Sequence, residues 1–280
     1  MDWSDVILLI LVVAILVLYI RLMRKNKRLR QMADESNRLR LEATEAERRN
    51  RQLKQEMTSN IAHELKTPVS SIRGYLEILL SDKPVDDERR RYFLDRCFRQ
   101  TLRLSDLIQD VSIINKLEES ADLFPRSEVD AAEVAKEAIG DLADKAAAVG
   151  ITVGNNLPAM PLNGNHELLY CIFRNLVENS IAYAGSDINI VLETYKDSPD
   201  CYFIHYYDTG KGVADEYLSR LFDRFVRIDE GRSRQNGGTG LGLSIVKHSV
   251  LFHGGEIYAK NRPEGGLEFF FSLKKTPIRN

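Results

Sequence analysis

The sequence predicts a multidomain chain of α and α/β class. Its parts in order are an N-terminal transmembrane helix, a coiled-coil linker, a helical hairpin that dimerises into a four-helix bundle, and a C-terminal two-layer α/β sandwich. Three observations predict it. Val6 to Ile20 is an unbroken apolar run followed by cations. From Leu22 to Ile114 apolar residues recur at helical spacing, and beyond Pro125 helices and strands are interleaved, with glycines gathered at two places. The 280 residues leave room for two compact units and connecting helix. A net charge of -2 argues against a nucleic-acid binder, which needs a strongly basic surface. Cys97, Cys171 and Cys201 are odd in number and lack metal-ligand spacing, so they read as reduced core residues.

Residues 1–23 form the predicted anchor. At about 1.5 Å per residue the apolar run is slightly short of a span, but Trp3 can sit at the interface, Leu22 and Met23 extend the apolar surface, and Arg21 can snorkel. A cleaved leader would carry its cations before the apolar run; here Asp2 and Asp5 precede it and Arg24, Lys25, Lys27, Arg28 and Arg30 follow. The positive-inside bias then puts everything after Arg21 in the cytoplasm, in a single-pass arrangement. With so little before Val6, no sensing domain is expected outside the membrane. Input is expected through a lipid or membrane-protein partner, or through the juxtamembrane coil.

Residues 24–56 read as that coil. No proline or glycine interrupts Leu22 to Met57; Leu22, Leu29, Ala43 and Met57 share one heptad position, and Met32, Leu39, Ala46 and Leu53 the other. Ser36, Asn50 and Lys25 dilute the seam, which predicts a dimeric coiled coil of modest stability.

Residues 57–118 read as the hairpin. Ile61, Leu65, Ile72, Leu76 and Leu79 share one helix face, Ser81-Asp82-Lys83-Pro84 ends that helix, and Phe93, Cys97, Leu104, Ile108, Val111 and Ile114 mark a second. A lone hairpin cannot bury both stripes; pairing two hairpins in a homodimer does. His63 lies beside the first stripe, so its side chain should point outward. A neutral imidazole is a nucleophile, and the adjacent Glu64 can hold the proton on one nitrogen while the other attacks phosphorus. Pro68, one turn later, weakens the backbone ladder.

Residues 119–280 read as the sandwich, entered through Glu118-Glu119-Ser120-Ala121-Asp122 and Pro125. Helices are predicted over 131–149, 166–182 and 241–252. Strands are predicted over 151–153, 188–195 and 201–207, with a final hairpin at 256–259 and 267–273. Three stretches there carry chemistry. Asn175 and Asn179 fall at i and i+4 on one helix face, where amide oxygens can complete a Mg²⁺ shell shared with phosphates. Asp208-Thr209-Gly210-Lys211-Gly212 ends a strand with a carboxylate suited to an adenine amino group. Gly238-Thr239-Gly240-Leu241-Gly242 turns a loop into a helix whose free amides can hold anionic oxygens.

His63-Glu64-Leu65-Lys66-Thr67-Pro68 resembles the H-box of the HisKA class of bacterial two-component sensor histidine kinases. The three downstream stretches resemble the N, G1 and G2 boxes of the Bergerat-type GHKL ATPase fold, and Leu221-Phe222-Asp223-Arg224-Phe225 the kinase F-box between them. The resemblance covers about Arg51 to the end. It implies a protein-histidine kinase of the bacterial inner membrane that uses ATP and Mg²⁺, phosphorylates His63 and passes the phosphoryl group to a response-regulator aspartate. It implies that Glu64 assists proton transfer and that Glu64 and Thr67 support dephosphorylation of the regulator. It further implies Asn179 as Mg²⁺ ligand, Asn175 as its phosphate-side companion, Asp208 as adenine reader and Tyr183 as the aromatic residue near the nucleotide. Phe222, Gly210, Gly212, Gly238, Thr239, Gly240, Leu241 and Gly242 complete the ATP site, with Asp229 to Gly237 as a lid. Many relatives carry lysine where this chain has Ala182, so a cation at the phosphates is either missing or supplied by Arg224, Arg227 or Arg234. His166, His205, His248 and His253 are expected to be structural or surface residues. A chaperone-type ATPase would explain the boxes without His63 or the anchor, and a silent membrane scaffold the anchor and coil without the boxes.

Overall fold

The computed structural model describes residues 3–81, 84–119, 123–227 and 238–275, with side chains described at only part of the positions before 60. Contacts divide the chain into two units, Met1–Ser59 and Asn60–Asn280. Helix α1 (Trp3–Leu79) contains Pro68 and begins in the first unit. There the predicted span has described side chains only at Leu16, Leu18 and Tyr19, all exposed. Among the described residues no helix is long and apolar enough to cross a membrane. Most of the heptad positions, Leu29, Leu39, Ala43, Ala46 and Leu53, also lie outside the described side chains, while Leu22 and Met32 are exposed.

In the second unit α1 is followed by α2 (Asp87–Glu119). Asp86 caps α2 by accepting from Arg89 N at 2.8 Å, and Asp87 and Glu88 complement the helix dipole in its first turn. The hairpin closes through Tyr75 stacked on Phe93, with ring centroids 5.6 Å apart. The Cys97 thiol faces the Ile72 carbonyl. The predicted turn residues Asp82 and Lys83 lie outside the described residues.

The rest of the unit is a two-layer sandwich. A five-stranded sheet runs in the order β2 (Thr152–Asn155), β4 (Asn189–Lys196), β5 (Cys201–Asp208), β7 (Leu267–Lys274), β6 (Ile257–Asn261). β2 is parallel to β4, and the other pairs are antiparallel. Alternation sends Ile190, Leu192, Ile204, Tyr206, Phe269, Phe271 and Leu273 to one face, where they are buried. Against that face lie α3 (Ala131–Asp141), α5 (His166–Tyr183) and α7 (Gly242–Phe252). Phe173 of α5 meets Phe271 at 6.3 Å; each fully buried side chain of this size contributes roughly 1.5–3 kcal/mol. The opposite face carries an aromatic stack, His205 on Phe270 at 4.3 Å, with His205 between Glu193 and Glu268.

Three features depart from the sequence reading. The helix expected over 131–149 breaks at Leu142, a buried residue with φ −102 and ψ 0, giving α3 and a short α4 (Ala143–Ala147). Gly140, a weak helix former, sits just before the break, and Leu142 N turns back to Ile139 O at 3.2 Å instead of to the carbonyl four residues earlier. A small antiparallel sheet of β1 (Ser127–Asp130) and β3 (Pro161–Gly164) was not expected, because four residues are too few to show an alternation. Asp130 holds it, accepting from both Ala132 N and Met160 N at 2.9 Å. A short α6 (Asp215–Leu218) was likewise not expected.

Candidate nucleotide and phosphoacceptor site

Helix α5 starts at Asn165, whose side chain accepts from Leu168 N at 3.0 Å, and this cap sets the phase of the helix. Asn175 donates through Nδ2 to Cys171 O at 2.8 Å, leaving Oδ1 toward the start of α7, where a Cβ on Gly242 would lie 2.6 Å away. Asn179, one turn on, is half-buried, and among the described residues no partner engages its amide. The Tyr183 hydroxyl closes over Gly238, where any side chain would collide with it.

Asp208 ends β5 and is 2% exposed. Its Oδ1 accepts from Gly210 N at 3.0 Å and Leu267 N at 3.3 Å, and its Oδ2 from Ser180 Oγ at 2.8 Å. The glycines beside it are required by close approach: a Cβ on Gly210 would overlap the Ala184 carbonyl at the end of α5. Asn261 fixes the following loop, accepting from Val213 N at 3.0 Å and donating to Val213 O at 2.6 Å and Asp215 Oδ1 at 2.8 Å.

The second glycine segment is held from both sides. Gly240 adopts φ +73 directly against the Phe225 backbone and accepts from Phe225 N at 2.8 Å. Thr239 Oγ1 accepts from Leu241 N at 3.2 Å and donates to Asp110 Oδ2, on α2, at 3.0 Å. Leu241 is buried, so α7 starts from a fixed point and presents its first amides toward Asn175. Phe222 turns its ring edge-on to Phe269, 6.2 Å away, and anchors the segment to the core. The predicted lid residues Asp229 to Gly237, Arg234 among them, lie outside the described residues. Of the other two candidate cations, Arg224 approaches His248 at 3.3 Å. Arg227 donates to Gly238 O at 2.6 Å and to Glu64 Oε2 at 2.7 Å.

That last contact joins the two halves of the site. The His63 side chain is 72% exposed, as its place beside the apolar stripe predicts. Its Nδ1 lies 3.9 Å from Glu64 Oε1, beyond hydrogen-bond reach, because Glu64 is turned to Arg227 and, at 3.6 Å, Arg103. Burial lowers the Arg103 pKa, with Glu64 opposing that shift. Thr67 Oγ1 donates to His63 O at 3.2 Å. On α2, burial pushes the Asp110 carboxyl up to about 6, against the stabilising hydrogen bond from Thr239. The structure thus gathers Glu64, Asn175, Tyr183, Gly238, Thr239 and Gly242 around one edge of the sandwich facing the hairpin. Sequence reasoning missed Arg103, Asp110, Ser180, Tyr206 and Asn261. None lies in a recognisable motif except Ser180, which follows Asn179 directly.

The donor set suits Mg²⁺ only in part. Among the described residues no three His, Cys, Asp or Glu side chains converge on a metal position. The fitting donors are the amide oxygens of Asn179 and Asn175, hard neutral ligands that leave most of an octahedral shell to water and phosphate oxygens.

A family described as "His Kinase A (phospho-acceptor) domain" matches residues 53–120. One described as "Histidine kinase-, DNA gyrase B-, and HSP90-like ATPase" matches residues 164–277. The sequence is 32% identical over 245 residues to the sensor-like histidine kinase SenX3 of Mycolicibacterium smegmatis, covering 87% of this chain and 61% of that one. It is 30% identical over 221 residues to the sensor histidine kinase YcbM of Bacillus subtilis, covering 78% and 71%. In fold it is similar to the histidine kinase ThkA, crystallised in complex with the response regulator protein TrrA. That likeness has a TM-score of 0.61 and 22% identity, and covers 80% of this chain and 63% of that one. The chain spans 49% of the phosphate regulon sensor protein PhoR of Pseudomonas aeruginosa, about half the length of that curated relative.

Proposed function

The chain belongs to the HisKA-class sensor histidine kinases with a GHKL ATPase domain, and on that premise we propose that it phosphorylates its own His63 from ATP and passes the group to a response-regulator aspartate. One observation carries the proposal. A single guanidinium, Arg227, hydrogen-bonds both the carboxylate beside His63 and the carbonyl of Gly238, so the acceptor helix and the glycine segment meet within one chain.

The His63 ring presents Nδ1 to Glu64, which leaves Nε2 free to attack. The Nε2 lone pair forms the bond to the γ-phosphorus, the bond from phosphorus to the β–γ bridging oxygen breaks, and ADP leaves. The Nδ1 proton passes to Glu64 once that carboxylate turns from Arg227. Arg227, released, neutralises phosphate charge in place of a lysine at position 182. Asp208 accepts from the adenine amino group, Tyr183 covers the nucleotide, and the amides at the start of α7 hold phosphate oxygens. Asn179 and Asn175 would hold Mg²⁺, which neutralises phosphate charge when bound. Catalysis rests on positioning and electrostatics.

The same reading extends to the partners. Homodimerisation is supported by apolar residues left exposed on the hairpin, Val69, Leu76, Leu80, Leu94 and Phe98, and by a groove lined by Val69, Ile72, Leu76 and Leu80. A response regulator as acceptor is supported by the likeness to ThkA, crystallised with one. Thr67, one turn from His63, orients with Glu64 a water that attacks the phosphoaspartate of the regulator, releasing phosphate and the free carboxylate. Residues 1–23 anchor the chain in the inner membrane, and input arrives through that anchor or the coil.

The test is transfer of label from ATP carrying radioactive γ-phosphate, with Mg²⁺, to the full chain and to His63→Gln. Acid-labile, alkali-stable label on the wild type alone is the expected result. Label on both would move the acceptor elsewhere, and label on neither, despite ATP binding, would refute kinase activity.

A further inference from the structure

We propose that Ser180 and Tyr206 form a buried hydroxyl relay that aims the Asp208 carboxylate at the 6-amino group of adenine and so sets the base selectivity of the nucleotide site. The inference rests on the ATP reading above and adds two positioning residues to it.

The geometry assigns the protons. The Ser180 hydroxyl donates its single proton to Asp208 Oδ2, 2.8 Å away. Ser180 Oγ then has lone pairs free for the Tyr206 hydroxyl at 2.9 Å, whose single proton is shared between Ser180 Oγ and Leu176 O at 3.0 Å. Tyr206 is fully buried and its ring packs on Phe269 at 5.9 Å. Burial raises its phenol far above the ordinary range, so it stays a donor. Ser180 is 1% exposed, and both of these bonds are buried.

The two carboxylate oxygens are treated differently. Oδ1 takes two backbone donors, Gly210 N and Leu267 N, and is filled; Oδ2 has Ser180 as its one protein donor and keeps an acceptor direction open. A base with an exocyclic amine completes it, and one without leaves a buried carboxylate oxygen short of a donor. Ser180 supplies what the backbone cannot: a bond on the second oxygen that stops the carboxylate swinging about its last torsion, which is intrinsically broad. Through its hydroxyl Tyr206 holds Ser180 in the rotamer that makes that bond.

The test measures binding of Mg-ATP and of the Mg complex of purine riboside triphosphate, which lacks the 6-amino group, to the full chain. Ser180→Ala is expected to weaken ATP about tenfold, the scale of one charge-assisted hydrogen bond, and to leave purine riboside triphosphate unchanged. Tyr206→Phe, which keeps the ring packing, should lose ATP affinity in the same direction by less, and nothing further in the double variant. Equal loss for both nucleotides would make Ser180 merely structural and overturn the relay, as would unchanged ATP binding in Ser180→Ala. Wild-type chain that binds neither nucleotide would overturn the ATP reading itself.

Discussion

Arg227 Nη2 stands 2.7 Å from Glu64 Oε2, a contact across 163 positions that ties the helix carrying His63 to the segment leading toward the second glycine stretch. Both side chains are largely buried, 13% and 17% exposed, so solvent screens the pair less than a surface ion pair. Arg227→Ala should lower the rate of His63 labelling by about tenfold or more, because the guanidinium released from Glu64 is then missing from the phosphates, a charge-assisted contact of roughly 1.5–3 kcal/mol. ATP affinity should change much less. Faster labelling in the variant would show instead that the pair restrains the kinase.

Asp110 governs the other tether. Its carboxyl is pushed up to about 6 from 3.8 chiefly by burial, so the folded chain binds this proton more tightly than the unfolded one. Its contribution to stability is full below the ordinary value and is lost as pH rises to about 6. Asp110→Asn keeps an acceptor for the Thr239 hydroxyl and removes the ionisation. Thermal unfolding at pH 7.5 should rise by roughly 2–5 °C, and the pH dependence between 4 and 6 should flatten. A lower Tm at pH 7.5 would mean that the anion itself is needed.

His253 works in the opposite sense. Burial pushes its imidazole down to about 4 from 6.5, and the fold uses the neutral ring: Nε2 accepts from Asn165 N at 3.1 Å, which leaves Nδ1–H to donate to Ser249 O at 2.7 Å. Its contribution is present above 6.5 and lost as pH falls toward 4. The window overlaps that of Asp110 with opposite slope, so each is read against its own variant. His253→Gln should remove most of the acid-side loss of Tm; an unchanged acid limb would place that loss elsewhere.

The dimer reading is open to a single substitution. Leu76 and Leu80 are 40% and 83% exposed on the hairpin, and each leucine buried between two copies contributes roughly 1.5–3 kcal/mol. Leu76→Asp should convert the chain from dimer to monomer in sedimentation while its helical circular dichroism persists. A variant that stays dimeric would move the interface off this face.

Much of this was legible in the chain alone, and the reason is locality. The sandwich elements α5, β4, β5 and β7 begin and end close to where periodicity puts them, and α1 stops just before the Ser81 to Pro84 turn, but that helix runs unbroken from Trp3 through the predicted anchor, coil and first hairpin helix. The exposure of His63 follows from its phase against Ile61 and Leu65. The exceptions are local too: α3 ends at Leu142 just after the weak helix former Gly140, and β1 and β3 are rich in Ser, Asp, Pro, Asn and Gly, which read as turn rather than strand.

By itself, then, the sequence determined which chemistry is available: an exposed imidazole beside a carboxylate, two amides one turn apart, a strand-end carboxylate and two glycine segments, each readable because its parts are neighbours in the chain. Only the tertiary structure decided how they are aimed. Ser180 meets Asp208 across 28 positions, Asn261 meets Val213 across 48, Thr239 meets Asp110 across 129 and Arg227 meets Glu64 across 163. No short-range pattern encodes such pairs. A side-chain hydrogen bond requires placement to within a few tenths of an ångström, and the sheet order, the packing of α5 and α7 on it and the seating of α2 against α7 supply that placement.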